Sequence, residues 1–297
     1  MKTVKILVGS MMVAGLLFNT SCKKDEPQTT LSEQIAEEDA AMDDQINTID
    51  EQVDFISSSY DGVIASTTTL KSATTDDVVV YPTYTVTFPE GGRWPVVVTV
   101  DYGTSNIDVV IQSGGKPVTV AMRGKIIIEK TGSHFNPESV RTVTFDGFFV
   151  NENAIEGSQT YTNLGYNSKQ NLEFSWVVDL TLTTPDAFWA KRMVNKVREM
   201  TKGIDTKSIW DDEFSVTGTV TGSNSKGWAY SHTIQSENPI IRKRVCRFPV
   251  YGKIDVVNPL TTFTLDYGTG ECDAYATVTD KDGVITEIIL GRRWQKR

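Results

Sequence analysis

The sequence predicts a mainly β protein whose antiparallel strands form two related lobes, sandwich-like or merged in an extended sheet, after an N-terminal amphipathic helix. Three observations carry this. From Val78 onward, short runs alternate apolar with polar residues and are rich in Val, Thr, Ile and aromatics, the pattern of half-buried strands. Gly-, Pro- and Asn-bearing turns separate them without an intervening helical period, which argues for hairpins rather than βαβ units. The chain also echoes itself. Gly124-Lys125-Ile126 leads into Thr142-Val143-Thr144-Phe145-Asp146-Gly147, and Gly252-Lys253-Ile254 leads into Thr262-Phe263-Thr264-Leu265-Asp266-Tyr267-Gly268.

In chain order the strand signals are 78–88, 95–103, 117–132 and 140–150, with turn chemistry at Pro89-Glu90-Gly91-Gly92, Ser113-Gly114-Gly115-Lys116 and Gly132-Ser133-His134-Phe135-Asn136-Pro137. Further strands are expected at 158–165, 171–184, 213–222, 227–235, 243–257, 261–268, 273–280 and 283–290. The stretch from Pro185 to Met200 breaks the series. It reads as a short helix or irregular excursion with Pro185 at its first position, and a long bulged strand is the alternative. Asp101-Tyr102-Gly103-Thr104 repeats the Asp-Tyr-Gly-Thr of 266–269. Such strand ends suit a turn in which Asp accepts backbone N–H groups and Gly takes positive φ, more readily than a calcium cage, which needs 6 to 8 oxygens.

The N-terminus has a different character. Lys2 and Lys5 precede an uncharged apolar run over residues 6–18, too short to span a bilayer and suited to a secretory signal. Phe18-Asn19-Thr20-Ser21-Cys22 resembles a relaxed lipobox, in which the Cys22 thiol is acylated and becomes the mature N-terminus. Lys23-Lys24-Asp25-Glu26 resembles the tag that directs such lipoproteins to the outer face of the outer membrane. Several acyl chains on one cysteine give a stable anchor. The expected organisation is a signal peptide over 1–21, a lipidated tether over 22–30, an acidic helical segment and linker over 31–75, a first β lobe over 76–184 and a second over 185–297.

Within 31–75, Ile35, Met42, Ile46, Ile49, Val53 and Ile56 fall on one helical face, with Thr30 or Ser32 as the cap. The regular stripe lasts about two heptads, so a single amphipathic helix or stalk, partly packed on the body, is preferred to oligomerisation through a coiled coil of residues 35–56. Residues 25–70 hold twelve acids and neither Lys nor Arg, whereas 71–297 are nearly balanced. The acidity belongs to one segment, read as a charged spacer that lifts a nearly neutral body off the membrane. A chain with net charge −9 and no basic face is a poor nucleic-acid binder.

No recognised catalytic constellation emerges, and neither a metal nor a cofactor is expected. Cys246 and Cys272 remain as a pair once Cys22 is lipidated. A hairpin turning at Asn258-Pro259 brings them close to register, which favours a bridge over two buried thiols. His134 and His232 lack a nucleophile motif and read as surface residues. Asp211-Asp212-Glu213 after Trp210 has the elements of a sugar site, but adjacent strand residues face opposite ways, so a solvated turn is preferred. Of six tryptophans, Trp210 and Trp228 are the candidates for ligand contact with a glycan or protein.

The stretches Val245–Val256 (VCRFPVYGKIDV) and Phe263–Asp273 (FTLDYGTGECD), with RGKIIIEKTG and VTFDGFFVNENAIEGSQTYTN upstream, resemble a group of uncharacterised Bacteroidetes cell-envelope lipoproteins. The likeness covers about residues 95–290 and implies an envelope location and a β fold, with no activity. The first Asp-Tyr-Gly-Thr lacks the cysteine that follows the second, so the first lobe has no equivalent bridge. The expectation is a lipid-anchored envelope protein of structural or surface-interaction type. A glycan- or host-protein-binding surface module is the alternative, and a carbohydrate-active hydrolase is a third.

Overall fold

The computed structural model describes residues 29–66, 74–75, 78–79, 82–114, 116–206 and 208–291. The signal segment and Cys22 lie outside the described residues. Helix α1 spans Leu31–Ser66. It starts in a capping box: Thr30 Oγ1 accepts from the Glu33 N–H at 3.3 Å, and Glu33 Oε2 accepts from the Thr30 N–H at 2.9 Å. No helix among the described residues is long and apolar enough to cross a membrane.

A two-residue ladder, β1 (Thr74–Thr75) with β2 (Val78–Val79), follows the helix. Everything after it joins one antiparallel sheet of 15 strands. These are β3 (Thr83–Thr87), β4 (Val96–Asp101), β5 (Ile107–Ser113), β6 (Lys116–Lys130), β7 (Val140–Val150), β8 (Asn153–Tyr166), β9 (Leu172–Thr183), β10 (Trp189–Lys202), β11 (Glu213–Asn224), β12 (Ala229–Ile234), β13 (Ile240–Lys243), β14 (Tyr251–Asn258), β15 (Thr261–Thr269), β16 (Tyr275–Asp280) and β17 (Ile285–Ile289). Neighbours in space are largely neighbours in sequence, from β3 and β4 through β6–β12 to β14–β17. The exceptions share an edge: β4 and β5 pair with opposite halves of β6, and β12 and β13 with opposite halves of β11.

The strand expected over 78–88 falls into β2 and β3, which belong to different sheets, with residues 80 and 81 outside the described residues. The other expected strands are present, and two differences are instructive. The segment after Pro185 is no helix. It turns through Ala187 into β10, which pairs with β9 from Trp189↔Thr183 to Met200↔Leu172 and carries an irregularity between Met200 and Lys202. The strand expected over 243–257 is two strands, β13 and β14, joined by the segment 244–250. β9 and β10, on either side of the expected boundary between residues 184 and 185, pair along their length, so strands of both expected lobes belong to one sheet.

The internal echo has a structural counterpart. Lys125 lies opposite Asp146, and Lys253 opposite Asp266, with ion-pair distances of 3.7 and 3.0 Å. Each pair follows a bulge at the preceding glycine, Gly124 or Gly252. The Asp-Tyr-Gly ends are turns: Asp101 Oδ1 accepts from the Gly103 N–H at 2.8 Å and Asp266 Oδ1 from the Gly268 N–H at 2.9 Å.

One face of the sheet packs on α1, and side chains from all round the helix between Ile35 and Ser57 are buried. A flat sheet covers only one side of a helix, so this sheet wraps it. Two apolar clusters share the helix. Met42, Ile46, Ile49, Val53 and Ile56 pack with β4–β11. Ile35, Ala36 and Ala40 pack with β11–β17.

Candidate functional site: a charged seam between helix and sheet

Asp39, Asp43, Asp50 and Asp54 are spaced four, seven and four residues apart, so they lie in one stripe along about 22 Å of α1. This stripe runs beside the apolar one and faces protein, not solvent. The acidic spacer expected from the sequence is therefore corrected. The carboxylates of this stripe are matched by inward-pointing bases, and the apolar face of α1 packs inside the same chain.

The pairs run along the helix in order. Asn224 at the end of β11 donates Nδ2 to both Glu38 oxygens at 2.8 Å. Arg192 on β10, fully buried, pairs with Asp39 and donates Nη2 to Asp43 at 2.8 Å, while Lys196 Nζ lies 3.7 Å from Asp43. Arg198 donates to one oxygen of Asp50 at 2.7 Å, and Arg141 on β7 donates to the other at 3.0 Å. Arg141 also pairs with Asp54, whose second oxygen accepts from Arg244 at 2.6 Å. On another side of the helix, Arg247 grips Asp44 with Nε at 2.9 Å and Nη2 at 2.6 Å. Removing so many charges from water is tolerated because Asp39, Asp43, Asp44, Asp50 and Asp54 each meet at least one opposite charge.

Aromatic rings support the bases. Register places Arg141, Tyr161, Trp176 and Lys196 in one row across β7–β10. The Arg198 guanidinium lies 3.7 Å from the Trp176 ring centre, and that of Arg141 lies 4.9 Å from Tyr161. Such cation–π contacts are strongest when desolvated, as here.

The seam sets the protonation states around it. Burial alone would raise Asp39, but Arg192 and His232 beside it hold its carboxyl well below the usual carboxylate range. Burial likewise opposes ionisation of Asp43 and Asp54, and Arg192 with Lys196, and Arg141 with Arg244, overrule it. Lys196 goes the other way: burial brings it down to about 8 despite Asp43. Glu51, facing Arg242 and Arg244 but bonded to neither, is pushed up to about 7 by burial. Two cavities of about 30 and 20 Å³ lie along the seam, bordered by Asn47, Arg198 and Arg242, with room for single waters.

The residues singled out from the sequence fall in several places. Cys246 and Cys272 are bridged, with Cα atoms 5.2 Å apart, but Cys246 sits in the segment between β13 and β14 and not within a strand. Trp210 precedes β11 and Trp228 follows it, at opposite ends of a strand about 40 Å long, so they form no common platform. Both are half-buried, and Lys226 Nζ lies 5.3 Å over the Trp228 ring. His232 is not a surface residue: it is buried, with Nδ1 3.1 Å from Asp39 Oδ2, and burial lowers its pKa. His134 stacks on Phe174 at 4.8 Å. Asp211 accepts from Thr206 Oγ1 at 2.9 Å and Glu213 pairs with Lys202 at 2.8 Å, while Asp212 is buried and raised to about 6.

Sequence reasoning misses the basic half of the seam, although a signal for it exists. On β10 the inward positions are Ala190, Arg192, Val194, Lys196, Arg198 and Met200, a strand period written partly in charge. On the opposite face, Met193, Thr221, Ser231 and Val257 line up across β10, β11, β12 and β14 as an open trough of about 510 Å³ bordered by Lys191.

Comparison with protein-family models, with curated proteins and with solved structures finds no match for this chain.

Proposed function

We propose that this chain is a lipid-anchored protein of the outer membrane, facing the cell surface and acting in structure or surface interaction without catalysis. The observation that carries the reading is the seam. Asp39, Asp43, Asp44, Asp50 and Asp54 of α1 are engaged in fixing the helix inside the sheet. Such an arrangement builds a rigid body; it does not present a reactive group to a substrate.

The seam also changes how the anchor would work. With α1 held in the sheet from Ser32 onward, only residues 23–31 separate Cys22 from the body, a reach of at most about 32 Å. The lipid would hold the sheet close to the membrane. Metabolic palmitate labelling tests this: label and membrane partition should both disappear on Cys22→Ala. Label retained by that variant would overturn the anchor.

A second reading, a glycan- or protein-binding surface module, is favoured by the outer trough, whose size falls within the range of small-ligand sites. A glycan-array screen of residues 23–297 and of its Thr221→Trp variant tests it. Binding that the bulky side chain abolishes supports the module; no binding by either protein leaves the structural reading.

A further inference from the structure

The segment linking β13 to β14 carries Arg244, Cys246 and Arg247 within four residues. Its two arginines reach the helix at separate places. Arg244 donates to Asp54 at 2.6 Å, and Arg247 holds Asp44 through two bonds of 2.9 and 2.6 Å. Asp44 and Asp54 are ten residues apart, about 15 Å along α1. The other bases of the seam stand on strands and are positioned by the ladder. These two stand on a connection, held by bonds such as Arg244 N–H to the Asp212 carbonyl at 3.0 Å. The covalent tie at its centre is the bridge from Cys246 to Cys272, which lies in the β15–β16 connection.

We propose that the Cys246–Cys272 bridge is a redox-sensitive latch on α1. Oxidised, it fixes the 244–250 segment so that Arg244 and Arg247 clamp Asp54 and Asp44. Reduced, the segment moves more freely and the middle of the helix opens more often, while the pairs made by Arg192, Arg198 and Arg141 keep it associated.

The two sulfurs differ in access: Cys246 is 3 % exposed, whereas Cys272 is exposed. The reductant is therefore an external dithiol whose thiolate attacks Sγ of Cys272. The S–S bond breaks, a mixed disulfide forms at Cys272, and Cys246 leaves as a thiolate and takes a proton. The second thiol of the reagent, deprotonated, then attacks the reagent's own sulfur in that mixed disulfide and releases Cys272, which is protonated in turn. Two electrons pass to the protein, and the dithiol ends as its own disulfide.

Hydrogen exchange read by mass spectrometry tests this on the folded full chain, with and without dithiothreitol, bridge opening being verified by alkylation of both thiols. Amides of α1 from Asp44 to Ser57 should exchange at least about tenfold faster after reduction, with β8–β10 unchanged. The doubly substituted R244Q/R247Q, its bridge intact, should show the same faster exchange, and reducing it should add little. Three results would overturn the latch: unchanged α1 protection after complete reduction, protection lost equally from the whole sheet, or additive effects of reduction and substitution. Should the double variant fail to fold, the reduced wild-type chain decides alone.

Discussion

Arg192 donates twice to Asp39 through a single guanidinium nitrogen, once to the backbone carbonyl at 3.0 Å and once to the carboxylate. A side chain from the middle of the sheet thus reads both the main chain and the side chain of one helical residue. This fixes the helix in rotation as well as in position. Burying such a pair adds little net stability over an apolar one, but losing one partner leaves a charge stranded. Arg192→Gln is expected to cost about 3–5 kcal/mol in urea unfolding. In a double-mutant cycle with Asp39→Asn, the pair of substitutions should cost at least about 1 kcal/mol less than the sum of the singles. Simple additivity would show that the two side chains do not act as a unit.

The seam makes the fold acid-sensitive. Burial raises the carboxyls of Asp39, Asp43 and Asp54 but their basic partners win, so all three are held below the ordinary value of 3.8. A carboxyl depressed in the folded state contributes stability that is complete above its unfolded pKa and lost as pH falls toward the folded one. Urea midpoints should therefore hold steady down to about pH 5 on this account and fall steeply below about pH 4. Asp39→Asn, already lacking one such carboxylate, should show a shallower fall. An unchanged slope would place the acid sensitivity elsewhere.

The sequence makes the helix and most strands legible because their signals are local. The Ile and Val spacing from Met42 to Ile56 is a helical period, and Val140–Val150 alternates within itself. β10 is hard to read because Arg192, Lys196 and Arg198 stand where a half-buried strand carries apolar residues, so its period is disguised. What makes those bases inward-facing is a helix some 150 residues earlier, and no window on either segment contains both. Besides the alternation of β10, charge segregation is a sequence-level trace of the seam. Twelve acids without a base in residues 25–70 ask for a complement, and solvent is the wrong one. β5 is missed for another reason: it pairs with the same long strand as β4, a shared edge that hairpin reasoning does not anticipate.

Gly124 offers a backbone test of the repeat. Its φ is +82°, and a Cβ there would lie 2.0 Å from the Gly147 carbonyl oxygen, so β6 and β7 approach too closely for any side chain. Gly147 also has positive φ, +53°, but a Cβ on it would meet nothing within 4 Å. Gly124→Ala should therefore cost at least about 2 kcal/mol, and Gly147→Ala about 1 kcal/mol from backbone strain alone. Thermal unfolding of the two variants separates clash from strain. Equal losses would mean that the bulge at Gly124 relaxes to admit a methyl group.

Glu51 is a largely buried acid of the helix that the seam leaves unmatched. Burial pushes it up to about 7, Arg242 and Arg244 draw it back, and Asp50 and Asp54 raise it further. Its Oε2 bonds no protein atom among the described residues. A carboxyl whose folded pKa lies above its unfolded one favours folding while protonated, and it erodes stability as pH climbs from the unfolded value of 4.5 toward 7. Replacing it with an uncharged isostere removes that penalty and nothing else of consequence. Glu51→Gln should match the wild-type protein at pH 5 and exceed it at pH 8 by on the order of 2 kcal/mol in urea unfolding. A variant weaker than wild type at pH 8 would mean that ionised Glu51 and Arg242 form a stabilising pair, and that the stripe of matched charges extends one residue further than the bonds indicate.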